Sequence, residues 1–173
     1  MQIAERQITD SKELIDDVFD ILVLSYVYGN RAANIDLDSD IYKVDTERLG
    51  DTVYRKIDGK TFSDRIKEYA TETDENGNLT DKAVEEINRV IETESHRCYN
   101  EGMFEVAEMA GANKTWVTML DDKVRDSHAF LEGVTVGWNE RFYTENDSAL
   151  YPGGFSTAAE NVLCRCELIL SKD

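Results

Sequence analysis

Apolar residues fall three or four apart through most of the chain and give way to β-rich runs and alternation in the last third, the signatures of helix and then strand. Leu14, Val18, Ile21, Leu22 and Ser25 share one helical face, with Ser11 as its cap and Gly29 as a natural stop. Asn30 to Lys43, holding Asp36, Asp38 and Asp40, reads as a polar connection. Thr46 or Asp45 starts a second helix that carries Leu49, Val53 and Ile57 and ends at Asp58-Gly59. Thr61 with Asp64 has the capping-box pattern, ahead of a helix with Phe62, Ile66 and Tyr69 on its apolar side. After a polar loop marked by Asn76-Gly77, a long helix is predicted from Thr80 to about Ala110. Its apolar positions are Ala83, Val84, Ile87, Ile91, Cys98, Val106 and Met109; Gly102 marks a kink and Gly111 a C-cap.

Beyond Gly111 the period changes. Thr115 to Leu120 is β-rich, Asp121 or Asp122 caps a short helix through Val124, His128 and Leu131, and Gly133 closes it. Val134 to Trp138 reads as a second strand and Cys164 to Leu170 as a terminal one, separated by an irregular loop with Pro152-Gly153-Gly154. The expected fold class is α+β: a helical N-terminal part, a long central helix and a small antiparallel sheet in the C-terminal third. Residues 1–78 form a helical arm or adaptor region and 79–173 a second unit.

Charge narrows the partners. The 173 residues hold 36 Asp plus Glu against 19 Lys plus Arg, a net charge of −17. Up to Thr80 there are 10 basic and 18 acidic residues, and beyond it 9 and 18, so no tail or stripe carries the excess. Such a surface repels phosphate backbones, which disfavours direct DNA contact and favours a protein partner with a basic patch. Met1–Ile8 lacks the apolar core of a signal peptide, and Ile21–Tyr28 is too short to span a bilayer. Three cysteines make no secreted-style framework, so a reducing cytosol is the expected place of synthesis.

Candidate chemistry centres on Cys164-x-Cys166. On a strand these sulfurs share a face, with Leu168 and Leu170 continuing it; His128 is a third ligand for a metal and Asp122 or Asp126 a fourth. The spacing is tighter than the usual zinc Cys-x₂₋₄-Cys, so the expectation is reduced, buried, metal-free thiols beside His128, with zinc as the alternative. The same residues permit an enzyme reading, with His128 as base beside Asp122 or Asp126 and Cys164 or Cys166 as nucleophile. Arg125 is expected to anchor its segment by hydrogen bonds to a carboxylate or carbonyl. Glu92 and His96, four apart, read as a helix-surface pair. Two calcium-like patterns fail. Ala83 occupies the twelfth position of a loop begun at Glu72, and Ile41 stands at the glycine position after Asp36-x-Asp38-x-Asp40.

Three stretches in order carry a family resemblance. They are Ile91-Glu92-Thr93-Glu94 with Asn100-Glu101-Gly102, Lys114 to Thr118 leading into Asp122 to Gly133, and Tyr151-Pro152-Gly153 running to Cys164-Arg165-Cys166. Together, over roughly Leu79 to Leu170, they resemble the head morphogenesis (Mu F-like minor head protein) domain of tailed phages. The matching positions are Thr93, Glu94, Trp116, Asp122, Arg125, His128, Gly133, Cys164, Arg165 and Cys166. Leu163 departs from the family's Asn before Cys-Arg-Cys, and Glu92 from an Arg before Thr-Glu. The resemblance implies a low-copy, non-catalytic head component without a cofactor, at the portal vertex, acting in virion assembly or genome delivery. Its partners would be the portal protein, the major capsid protein or both, and its location the virion, with the host cytoplasm during assembly. The alternative is an enzyme or effector on the same scaffold, using His128 and Cys164 or Cys166, with zinc.

Overall fold

A computed structural model describes residues 11–41 and 44–172. The Met1–Ile8 segment lies outside the described residues. The architecture is α+β, as expected. In order come α1 (Ser11–Asp36), α2 (Thr46–Val53), α3 (Phe62–Tyr69), α4 (Asp81–Ala110), β1 (Asn113–Val117), α5 (Asp126–Ala129), β2 (Thr135–Val136), β3 (Phe142–Tyr143), β4 (Ser148–Ala149), α6 (Ala158–Asn161) and β5 (Glu167–Ser171). No helix among the described residues is long and apolar enough to cross a membrane.

The two long helices α1 and α4 form the frame, and two glycines set how they meet. A Cβ on Gly29 would sit 1.8 Å from the Tyr99 carbonyl oxygen, and one on Gly102 would sit 2.1 Å from the Tyr26 carbonyl oxygen. The paired positions ascend in one helix and descend in the other, so the helices run antiparallel with their backbones in contact. Gly29 is therefore not a stop, and helix α1 continues seven residues past it to Asp36. Gly102 likewise lies inside the unbroken α4. Glycine in a helix costs stability relative to alanine, and here that cost permits a close approach that any side chain would block.

The supposed polar connection after Gly29 is thus partly helix. Asn30 and Asn34 are buried within it. The Asn34 side chain donates to the Ile41 carbonyl (3.1 Å) and accepts from the Ile41 amide (2.7 Å) and the Ser39 hydroxyl (2.9 Å), so it folds the following loop back on the helix. Helix α2 starts at Thr46 with Asp45 as N-cap but ends at Val53; Ile57 pairs with Lys60 in the turn beyond. Thr61 and Asp64 form the complete capping box. Gly111 closes α4 in the left-handed conformation (φ 64°).

Two apolar clusters lie along this frame. One joins Leu14, Val18, Leu22 and Tyr26 of α1 to Val53, Phe62, Ile66, Ile87 and Cys98. The other joins Ala33 and Leu37 to Met103, Phe104, Val106 and Ala107 of α4 and to the sheet through Trp116, Leu168 and Leu170. The sheet has the order β2-β1-β5, antiparallel throughout, with Trp116 opposite Leu168 and Lys114 opposite Leu170. Strands β3 and β4 make a separate two-stranded ribbon.

Several strand and cap expectations need correction. The first strand runs from Asn113 to Val117 and not to Leu120, and the second is only Thr135–Val136. The terminal strand begins at Glu167, so both cysteines precede the ladder in extended chain. Neither Asp121 nor Asp122 caps α5, whose N-cap is Arg125 without a side-chain cap bond. Asp121 instead accepts from the Lys123 amide (3.1 Å) and pairs with Arg165 (2.6 Å).

Candidate functional site

Two strongly conformed turns bring three chemically active side chains together. The single turn of α5 places His128 in the interior, 1% exposed. After α6 the chain reverses at Leu163, which adopts φ 54°, and then runs extended through Cys164 and Cys166. Burial still alternates as the sequence predicted: Cys164, Cys166, Leu168 and Leu170 point inward. Both sulfurs lie 3.6 Å from His128 Nδ1. On the ring's other side, Nε2 is 3.0 Å from Glu160 Oε2 of α6. That contact lies off the hydrogen-bond line, so it is a close polar approach and not a directed bond. The Ser127 hydroxyl donates to the same carboxylate oxygen (2.9 Å).

Aromatic rings wall the cluster. Phe155 stacks on the imidazole at 5.4 Å, and Trp116 meets it edge-on at 5.4 Å. The buried Trp116 indole N–H has no hydrogen-bond partner. It stands close enough to the Cys166 sulfur to favour the thiolate.

The extended segment cannot satisfy its own carbonyls, and the helices do it instead. His96 Nε2 contacts the Cys166 carbonyl at 2.7 Å and the Asn100 amide donates to it at 3.1 Å. Asn100 also accepts the Leu168 N–H at 3.1 Å, so one side chain fixes both ends of the strand entry. Arg125 donates to the Val162 carbonyl, the carbonyl alternative of its expected anchoring role. The Leu163 amide donates to Thr93 Oγ1 at 3.1 Å.

The resemblance-derived positions divide by what they do. Trp116, Arg125, His128, Cys164 and Cys166 converge on the cluster. Gly133 adopts φ 72° and its amide donates to the Trp116 carbonyl (2.9 Å), which positions the tryptophan strand. Glu94 is buried and pairs with Arg97 (2.7 Å), which also donates to the Thr52 carbonyl (2.8 Å). Arg165 is a surface residue held by Asp121. Asp122 and Asp126 are exposed and stand outside the cluster, so neither is the expected fourth ligand or the partner of a histidine base. Glu160 is the carboxylate beside the histidine instead, and nothing in its local spacing marks it. Asn100 and His96 were visible only as helix residues. Their role depends on a chain segment some seventy positions away.

Electrostatics sets the two cysteines apart. Cys164 is pulled down, first by the hydrogen bond from the Cys166 thiol and then by His128, against the effect of burial. Cys166 is pushed up by that same bond and by burial. The two sulfurs thus titrate as a pair. Cys98, buried in the helical cluster, is pushed up to about 12 by burial, as an inert packed thiol should be.

An open groove of about 930 Å³ runs beside the cluster, bordered by Tyr28, His96, Tyr99, Arg125, Cys164 and Arg165. The imidazole itself is sealed from it. Among the described residues, His128, Cys164 and Cys166 are the one group of three or more metal-ligating side chains whose donor atoms gather within 4.8 Å. Two thiols and an imidazole gathered in this way suit holding a soft cation.

Comparison with known proteins agrees with the resemblance. The family model described as "Phage Mu protein F like protein" matches residues 47–169, well over half of the chain. A curated relative, NAD(+)--arginine ADP-ribosyltransferase EFV of Enterococcus faecalis, is 29% identical in an alignment 140 residues long that covers 65% of this chain. The matched stretch spans only 29% of that protein's own length. No solved structure matches the chain.

Proposed function

Since the chain belongs to the Phage Mu protein F like family, we propose that it is a minor head protein acting in head morphogenesis at the portal vertex. The observation that carries this reading is the extent of the family match. It runs from α2 to β5 and so takes in the long helix α4, the sheet and the His–Cys cluster together. A chain built around a closed interior cluster is suited to assembly through its surface.

The docking surface in this reading is α1. Leu24, Val27, Tyr28 and Ile35 lie along one side of it and are 53%, 40%, 59% and 71% exposed. An apolar stripe of this kind is what a helical adaptor offers a protein partner. The net charge of −17 selects a portal surface that is basic at the rim, and it repels duplex DNA.

Co-expression of the full chain with its cognate portal protein tests the proposal. Portal capture is expected, and Leu24→Glu with Ile35→Glu should abolish it while leaving the melting temperature unchanged. Salt-sensitive shifting of duplex DNA without portal capture would refute the reading. Transfer of ADP-ribose to arginine by the purified chain would replace it with the enzymatic alternative.

A further inference from the structure

We propose that His128, Cys164 and Cys166 bind one zinc ion, held from behind by Glu160 and serving as the staple of the C-terminal corner. The argument starts from a conflict in the metal-free arrangement. A carboxylate 3.0 Å from Nε2 keeps the imidazole proton on that nitrogen, which leaves Nδ1 with a single in-plane lone pair. That lone pair faces two sulfurs at an equal 3.6 Å, and one lone pair cannot accept a good hydrogen bond from both. A cation between the three atoms resolves the conflict.

The spacing fits zinc quantitatively. Zinc bonds of about 2.0–2.1 Å to nitrogen and about 2.3 Å to sulfur, at a tetrahedral angle, place N and S roughly 3.6 Å apart. Two thiolates and an imidazole form a soft-to-borderline donor set that suits zinc and excludes calcium or magnesium. The surroundings match as well. A ligating histidine ordinarily presents its other ring nitrogen to a carboxylate, and Glu160, itself fixed by Ser127, stands there. The Trp116 N–H, otherwise unpartnered in the interior, is placed to stabilise thiolate charge on Cys166. A small cavity of about 10 Å³ bordered by His128, Cys166, Arg125 and Met119 has room for about one water as a fourth ligand. Binding releases the thiol protons to solvent and leaves both sulfurs as thiolates.

The proposal is independent of the head-protein reading and is tested on the tag-free full chain. Elemental analysis after dialysis against metal-free buffer should find one zinc per chain. Arg165→Ala, on the outward side of the same segment, should keep it, and Cys166→Ser should lose it. Glu160→Gln should keep zinc but weaken it roughly 10-fold or more in competition with a chromophoric chelator. If Cys166→Ser does not fold, the wild-type chain still decides: cobalt exchanged for zinc should give tetrahedral ligand-field bands and thiolate charge-transfer absorption. Purified wild-type chain with substoichiometric zinc, another metal in its place, or zinc undiminished in Cys166→Ser would each overturn the assignment. So would a cobalt spectrum without thiolate bands.

Discussion

The crossing of α1 with α4 and the corner that holds the cysteines are built on opposite principles. At the crossing, each helix satisfies its own backbone, so only shape has to match, and two glycines supply it. At the corner the chain has little regular structure, and its carbonyls must be taken by side chains from elsewhere. His96, Asn100 and Arg125 do this for Cys166 and Val162. The first region tolerates a change of side-chain identity but no added volume. The second tolerates volume at its rim but not the loss of a particular polar group.

The largest effect should therefore come from Gly102→Leu. Its Cβ would overlap the Tyr26 carbonyl oxygen, which cannot swing away, so the two long helices must separate. A loss of more than about 4 kcal/mol in urea unfolding is expected, enough to prevent accumulation of folded protein. A folded Gly102→Leu protein near wild-type stability would show that the backbone contact is not what joins the helices.

Lys114 blurs the contrast, since it is a fully buried cation inside the apolar cluster. Its ammonium donates to the carbonyls of Glu140 (2.9 Å) and Leu150 (2.8 Å) and faces the Phe104 and Phe142 rings. Burial pulls it down from 10.5 to about 8. Between those values the unfolded chain binds more protons than the folded one, so this residue makes stability rise with pH across that window. Below about 8 its penalty is constant. The rise amounts to at most about 3 kcal/mol. It is measured as the difference between wild type and Lys114→Met, because Cys98, pushed up to about 12, works in the opposite direction above pH 9. A pH-independent difference would show that Lys114 keeps its ordinary protonation.

Asn100→Ala sharpens the comparison further. It leaves the Leu168 N–H without its acceptor and the Cys166 carbonyl with His96 alone. A loss of about 1–3 kcal/mol is expected, with amide exchange accelerated in β5 before it changes in α1. Uniform acceleration throughout the chain would show that the two regions unfold as one. The smallest effect belongs to Arg165→Ala. Its pairing with Asp121 (2.6 Å) is solvent-exposed at both ends, and the urea midpoint should not move measurably.

Local patterns carried the helical frame well. Asp45, the Thr61–Asp64 capping box, Thr80 and Gly111 each act through neighbours within a few residues, so their caps could be read without the fold. The inward alternation of Cys164, Cys166, Leu168 and Leu170 was equally legible, although the ladder starts only at Glu167. The extended glycine problem was not. Gly29 and Gly102 look like breakers in sequence, because the reason for a missing Cβ lies on the opposite helix.

The sequence by itself determined the class of fold, the order of its four main helices and of the three strands of the sheet, the acidic surface and the pairing of two cysteines with one histidine. Tertiary structure alone decided that α1 runs through Gly29, that Asp122 stands outside the cluster, and that Glu160 stands behind His128. It also decided that Asn100 and His96 hold the strand entry. The division follows from range. Caps, periodicity and strand alternation are fixed by residues a few positions apart, whereas a close helix crossing or a carboxylate behind an imidazole exists only once distant segments have packed.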